Sequence, residues 1–177
     1  MSAADEPDLA AFRSRVRAFL DGVPSMLDAV TGGANGGEGA GEDEDGPAVV
    51  IRAKAWRAAL YDAGLAGFGY PVEYGGAGDR PMEHAIWAEE SHGRVPAVDA
   101  VFGIGIGMAL PVIRDHGSAE LQQRFIAPGL RGDEIWCQLY SEPNAGSDLA
   151  SLATRAVRDG DEWIVTGQKV WTSGAHL

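Results

Sequence analysis

Apolar residues recur at helical spacing through most of the chain and change to alternation near its end. Leu9, Phe12, Val16, Phe19 and Leu20 fall on one face of a helix predicted over Asp8 to Asp21, with arginines between them. A stripe of this kind must pack. Val50, Ala53, Trp56 and Leu60 repeat the pattern in a second helix, about Ala48 to Ala63, which Gly64 is placed to close. A third helix starts at Pro81, a residue suited to a first turn, and runs to about His92 with Met82, Ala85 and Ile86 as its apolar face. The fourth covers about Ala97 to Asp115. The fifth is capped by Ser118, carries Glu120 in its first turn and extends to about Leu130. Between the second and third lies "GLAGFGYPVEYGGAGDRP", a crossing loop rich in glycine and proline.

From Glu134 the period shortens. "IWCQLYS" is rich in β-formers, and "TRAVRDGDEWIVTGQKVWTS" reads as three strand-like runs broken at Asp159-Gly160 and Thr166-Gly167. The predicted fold class is therefore α+β: an all-α helical domain over residues 1–132, then the beginning of an antiparallel β-domain over 133–177. The segment "YSEPNAGSD", Tyr140 to Asp148, is the hinge between the first strand and the rest.

Composition adds one break to this picture. Residues 31–47, "TGGANGGEGAGEDEDGP", hold no apolar side chain larger than alanine, so burial cannot offset their ordering entropy and a disordered acidic loop is predicted. The net charge of −12 argues against nucleic acid as a main partner, because phosphate binding needs clustered lysine and arginine. Much of that charge is local. Residues 1–50 carry ten acids against three arginines, which accounts for seven of the twelve excess negative charges. No apolar run approaches the length that spans a bilayer, and the N-terminus is acidic where a targeting peptide would be basic; a cytoplasmic protein is expected. Cys137 is the single cysteine, so an internal disulfide is excluded.

Several patterns invite chemistry and are better read as structure. Gly103, Gly105 and Gly107 lie inside helical pattern, whereas a dinucleotide-binding loop follows a strand and opens a helix. Close helix approach, or a ligand pressed against the helix, explains them. Glu89 and Glu90 are adjacent on a helix and point in different directions, as a solvated face would. His84, His92 and His116 are scattered over the helical region, which disfavours a metal site.

The segment "YSEPNAGSDLASLATRAVRDGDEWIVTGQKVWTSGAHL" resembles the flavin-binding signature of the acyl-CoA dehydrogenase family, in which a hydroxyl residue, Glu-Pro and Ala-Gly-Ser-Asp precede a Gly-any-Lys-any-Trp strand. Upstream, "GYPVEYGGAG", "LPVIRDHGSAELQQRFIAPGLRGD" and the Trp56 helix are similar to that family's N-terminal helical domain. The resemblance implies dehydrogenation of an acyl-CoA thioester between its α and β carbons, with FAD as cofactor, an electron-transfer flavoprotein as acceptor and association with family subunits. It places Gln138, Tyr140 and Ser141 along the flavin, Gly146 and Ser147 toward its phosphates with Ser147 also facing the acyl-CoA, and Trp171 against the ring with Thr172 and Ser173 beside it. By the residues alone, Trp171 also reads as a core tryptophan, and Ser141 and Ser147 as turn caps. Asp148 reads as a turn or helix-end acceptor.

The resemblance also implies that the glutamate base of the family lies in a C-terminal helical bundle that has no counterpart here, so neither Glu90 nor Glu142 takes that role and no catalytic residue is expected. Fatty-acid or sterol side-chain breakdown is the implied setting. A non-catalytic remnant or partner subunit, and a related acyl-CoA oxidase, remain alternatives. By the same analogy, Gly103, Gly105 and Gly107 would make room for a bulky acyl chain, so that Gly105→Leu shortens the accepted substrate.

Overall fold

The computed structural model describes residues 8–30 and 46–177. The predicted disordered loop falls almost entirely outside them. Two compact units divide at Ile135 and Trp136.

In the first unit, α1 spans Leu9–Val30, α2 Pro47–Asp62, α3 Pro81–Ser91, α4 Leu110–His116 and α5 Ala119–Arg131. Asp8 caps α1, its carboxylate accepting the Ala11 N–H at 2.9 Å. The helix runs nine residues past its predicted end and through Pro24, because Leu20, Val23 and Leu27 continue the buried stripe. Packing there outweighs the proline penalty. Phe12, Val16, Trp56, Leu60, Leu65 and Ile86 form the main core with these residues, and a smaller cluster gathers Tyr70, Leu110, Ile126 and Leu130. On α3 the buried face is Glu83, Ile86 and Ser91, while Met82 is 59% exposed and Ala85 is also exposed. The predicted face was rotated because Glu83 enters the protein with Arg80 as its ion partner.

The predicted fourth helix is present from Ala97 to His116, but its pitch changes along the way. Ala97–Phe102 forms a 3₁₀ segment and Gly105–Ala109 a π turn before α4 begins. Leu110 donates its N–H to the carbonyl of Gly105, five residues back. Pro111, which has no N–H to donate, follows directly after the π turn in the first turn of α4. Ser118 caps α5 as predicted, accepting the Leu121 N–H at 3.3 Å. Gly132 ends that helix at φ 83°, and a Cβ there would lie 2.5 Å from the Arg57 Cβ.

In the second unit, β1 (Arg155–Asp159) and β2 (Glu162–Thr166) pair antiparallel, with Arg155 opposite Thr166 and Asp159 opposite Glu162. The break at Asp159-Gly160 is the hairpin turn. The other two predicted strands, Ile135 to Ser141 and Gly167 to Ser173, form no ladder: the Val170 N–H to Ser141 C=O bond, 3.0 Å, is the backbone link between them among the described residues. β propensity yields a strand only where a neighbour completes the ladder. All ten strand residues of the hairpin are exposed, including Trp163 at 63% and Val165 at 67%.

Candidate functional site

Pro143 sets the corner of the Tyr140–Asp148 loop. Glu142 and Ala145 exchange both backbone bonds across it, at 2.8 and 3.1 Å, closing a tight turn that leaves Pro143 and Asn144 outward and Ala145 buried. Glu142 points inward and is buried. One carboxylate oxygen accepts the Ala153 N–H at 2.7 Å; the other accepts the Thr154 N–H at 3.0 Å and the Lys169 ammonium at 2.9 Å. The Thr154 hydroxyl beside it, the Ala153 amide and the Lys169 ammonium hold its pKa down to about 2. Lys169 donates again to the Tyr140 carbonyl at 3.0 Å. Gly167 allows this close approach, since a Cβ on it would run into the Thr154 side chain and backbone.

Around this knot the sequence-predicted residues fall into two groups. Tyr140 is half exposed and Ser141 half-buried, and their carbonyls accept from Lys169 and Val170; Gln138 is half-buried just before them. Gly146 and Ser147 are exposed beyond the Pro143 corner, and a Cβ on Gly146 would meet no atom within 4 Å. Trp171 follows the knot with its ring 91% exposed and its backbone at φ 57°. It is not core. A left-handed conformation costs an L-residue about 1–2 kcal/mol and is an outlier for one this bulky. Such strain collects at ligand sites. Thr172 is half-buried and accepts the Ala175 N–H at 3.3 Å, whereas Ser173 is exposed. Asp148 acts through its carbonyl, which accepts the Ser151 hydroxyl at 2.8 Å, and its carboxylate makes no cap. Open hydroxyls, an uncrowded glycine and a flat exposed ring fit a large planar cofactor with a polar tail. The spacing of Glu142 and Lys169 in the chain gave no sign that they would meet; the Gly-any-Lys-any-Trp pattern marked the lysine without its partner.

The first unit contains a cleft of about 280 Å³ whose polar lining is Arg57, His84 and Asp99, among Trp56, Phe68 and Trp87. Its charges are largely spent on the protein itself. Asp99 accepts the Trp56 indole N–H at 2.7 Å and Arg57 at 3.3 Å, and Arg57 donates to the Leu130 carbonyl at 3.2 Å. Glu90 is likewise occupied: Arg17, at 2.7 Å, and then Arg13 hold its pKa at about 2. Neither Glu90 nor Glu142 is basic enough to take a proton from carbon at neutral pH. Of the three helical glycines, Gly105 is buried, while Gly103 and Gly107 are exposed with nothing within 4 Å of an added Cβ. The Gly105→Leu test would overpack the protein; the open positions are the other two. Among the described residues, no helix is long and apolar enough to cross a membrane, and no three His, Cys, Asp or Glu side chains cluster to hold a metal.

The N-terminal domain of acyl-CoA dehydrogenases matches residues 40–133, and the middle domain of acyl-CoA dehydrogenases matches residues 137–177. Acyl-CoA dehydrogenase IpdE1 of Mycobacterium tuberculosis (strain ATCC 25618 / H37Rv) is 41% identical over 173 residues, covering 96% of this chain and 42% of that protein. Among solved structures, the Tcur3481-Tcur3483 steroid ACAD aligns with a TM-score of 0.62 at 31% identity, over 99% of this chain and 42% of that one. The ChsE4-ChsE5 complex from Mycobacterium tuberculosis aligns with a TM-score of 0.63 at 29% identity, over 98% and 40%. The chain thus spans about two-fifths of the length of these relatives.

Proposed function

The chain belongs to the acyl-CoA dehydrogenase family, and on that premise we propose that it supplies the helical domain, residues 1–132, and the start of the β-domain, residues 133–177, of a cytoplasmic FAD-dependent enzyme that dehydrogenates an acyl-CoA thioester. One observation carries the reading: Trp171, exposed and held at φ 57°, follows directly on the knot that joins it to the Tyr140–Ser141 backbone. Trp171 would lie against a face of the isoalloxazine, Gln138 would run along it, Tyr140 and Ser141 would meet its polar edge, Gly146 and Ser147 the phosphate side, and Thr172 and Ser173 the neighbourhood of N5. The chemistry supplied by bound FAD is acceptance of a hydride from the substrate β carbon. This chain's part is to bind, orient and keep the polar edge hydrogen-bonded. Ser147 would also meet the acyl-CoA, and Gly103 with Gly107 would leave space for a bulky acyl group of the sterol side-chain type, in keeping with the steroid enzyme of the same fold. Glu90 and Glu142 are both committed to cations or amides, so neither would serve as the base of the reaction. Electrons would leave to an electron-transfer flavoprotein.

A second reading, a partner subunit without its own turnover, is favoured by one finding: a solved relative is a complex of two named components, ChsE4 and ChsE5. Titrating FAD into the purified chain, alone and with candidate family subunits, tests both. Flavin binding that weakens at least tenfold in Trp171→Ala supports the site; no flavin binding in any combination would refute it. Acyl-CoA-dependent reduction of an artificial acceptor in the mixture favours the enzyme, peroxide formation from oxygen the oxidase, and flavin binding without turnover the partner subunit.

A further inference from the structure

We propose that Lys169 and Glu142 are positioning residues for the cofactor site: a charged clasp that fixes the register between the Tyr140–Ser141 segment and the Trp171 segment, in place of a strand ladder. This rests on the flavin-site reading above.

The two segments that carry the candidate flavin contacts lie far apart in sequence and share the single backbone bond from Val170 to Ser141. One such bond sets a point of contact and leaves the chain free to pivot about it. In a strand, a one-residue slip would turn every side chain to the other face. Here two further contacts remove that freedom. Lys169 Nζ reaches the Tyr140 carbonyl at 3.0 Å and the Glu142 carboxylate at 2.9 Å, so its side chain grips the opposite segment on both sides of Ser141. Glu142 in turn grips the Ala153 and Thr154 amides at the entry to β1. Both side chains are shielded, at 19% and 7% exposure, so water competes weakly for these charge-assisted bonds.

The clasp also bears on Trp171. That residue lies two positions after Lys169, in a backbone conformation that L-residues persist in only when their surroundings over-determine it. Its ring is 91% exposed and supplies little packing of its own. The restraint comes instead from residues 169 and 170 on its N-terminal side and from the Ala175 N–H to Thr172 C=O turn on the other. Releasing Lys169 frees Trp171 to return to the extended region and turn its ring away from the Tyr140 edge.

The experiment uses the purified chain and three variants, Lys169→Met, Lys169→Arg and Glu142→Gln, with FAD affinity from flavin fluorescence and amide hydrogen exchange without ligand. Lys169→Met is expected to raise the FAD Kd by about tenfold, equivalent to about 1.4 kcal/mol, and to speed exchange at Val170. Lys169→Arg, which keeps the donors and charge, should recover most of both. Glu142→Gln should speed exchange at Ala153 and Thr154 as well. If Lys169→Met binds FAD as the parent does, with Val170 exchange unchanged, the clasp is refuted and the flavin site stands. If Lys169→Met and Lys169→Arg lose affinity equally while their exchange patterns match the parent, the lysine touches the ligand and positions nothing. A parent chain that binds no FAD, alone or with family subunits, would overturn the site and the clasp together. Should Glu142→Gln fail to fold, the two lysine variants decide alone.

Discussion

Asp99 offers the sharpest test of how the helical unit is held. Its carboxylate accepts the indole N–H of Trp56, a side chain with 0% exposure, at 2.7 Å and lies 3.3 Å from Arg57, whose side chain is 8% exposed. Asp99→Ala strands both donors. A buried N–H left without a partner costs about 1–3 kcal/mol, and removing one member of a buried ion pair up to about 3–5 kcal/mol. Two features reduce the second figure: Asp99 is 29% exposed, so water screens the pair, and Arg57 keeps its bond to the Leu130 carbonyl. The expected loss is about 3 kcal/mol, a fall in Tm of roughly 6–12 °C. Asp99→Asn separates the two contributions, because its amide oxygen still accepts the indole N–H while the charge on Arg57 is uncompensated; about 1 kcal/mol is expected. Urea unfolding followed by tryptophan fluorescence reads both values. An Asp99→Ala protein within 0.5 kcal/mol of the parent, or an Asp99→Asn protein as unstable as Asp99→Ala, would refute the assignment of the buried indole bond as the larger contribution.

Acid should loosen the candidate cofactor site from the inside. The folded pKa of Glu142 is depressed to about 2, so its stabilising effect is complete above the ordinary carboxylate range near 4.5 and is lost as pH falls from there through about 2. Amide exchange at Ala153 and Thr154, corrected for intrinsic rates, should rise over that window; protection independent of pH would contradict the contacts. Gly107→Leu should fold normally and alter acyl preference in the active assembly, whereas Gly105→Leu should lower Tm by several degrees, an overpacking cost of about 1–3 kcal/mol. Equal stability of the two variants would count against that distinction.

The sequence by itself determined the helical stripes, the cap at Ser118, the hairpin turn at Asp159-Gly160 and the resemblance of Tyr140–Asp148 to a flavin signature, because each is a local pattern of period, cap or turn chemistry. It placed the end of α1 too early and made the fourth helix a regular α-helix, since helix propensity and proline penalties are weak beside the burial of Val23 and Leu27, and periodicity does not announce the π turn that joins Gly105 to Leu110. It turned α3 toward Met82 and Ala85, because nothing in the local pattern announces that Glu83 will be buried with an arginine. It also made strands of the Ile135 and Gly167 runs, where strand structure depends on a partner that pattern does not supply. Only the tertiary structure decided that Glu142 and Lys169, 27 residues apart, would meet. Only there does Trp171 stand exposed in a left-handed backbone instead of entering a core. Contacts between distant residues, and the strain they hold in place, arise from the packed arrangement as a whole; periodicity records only which face a residue prefers.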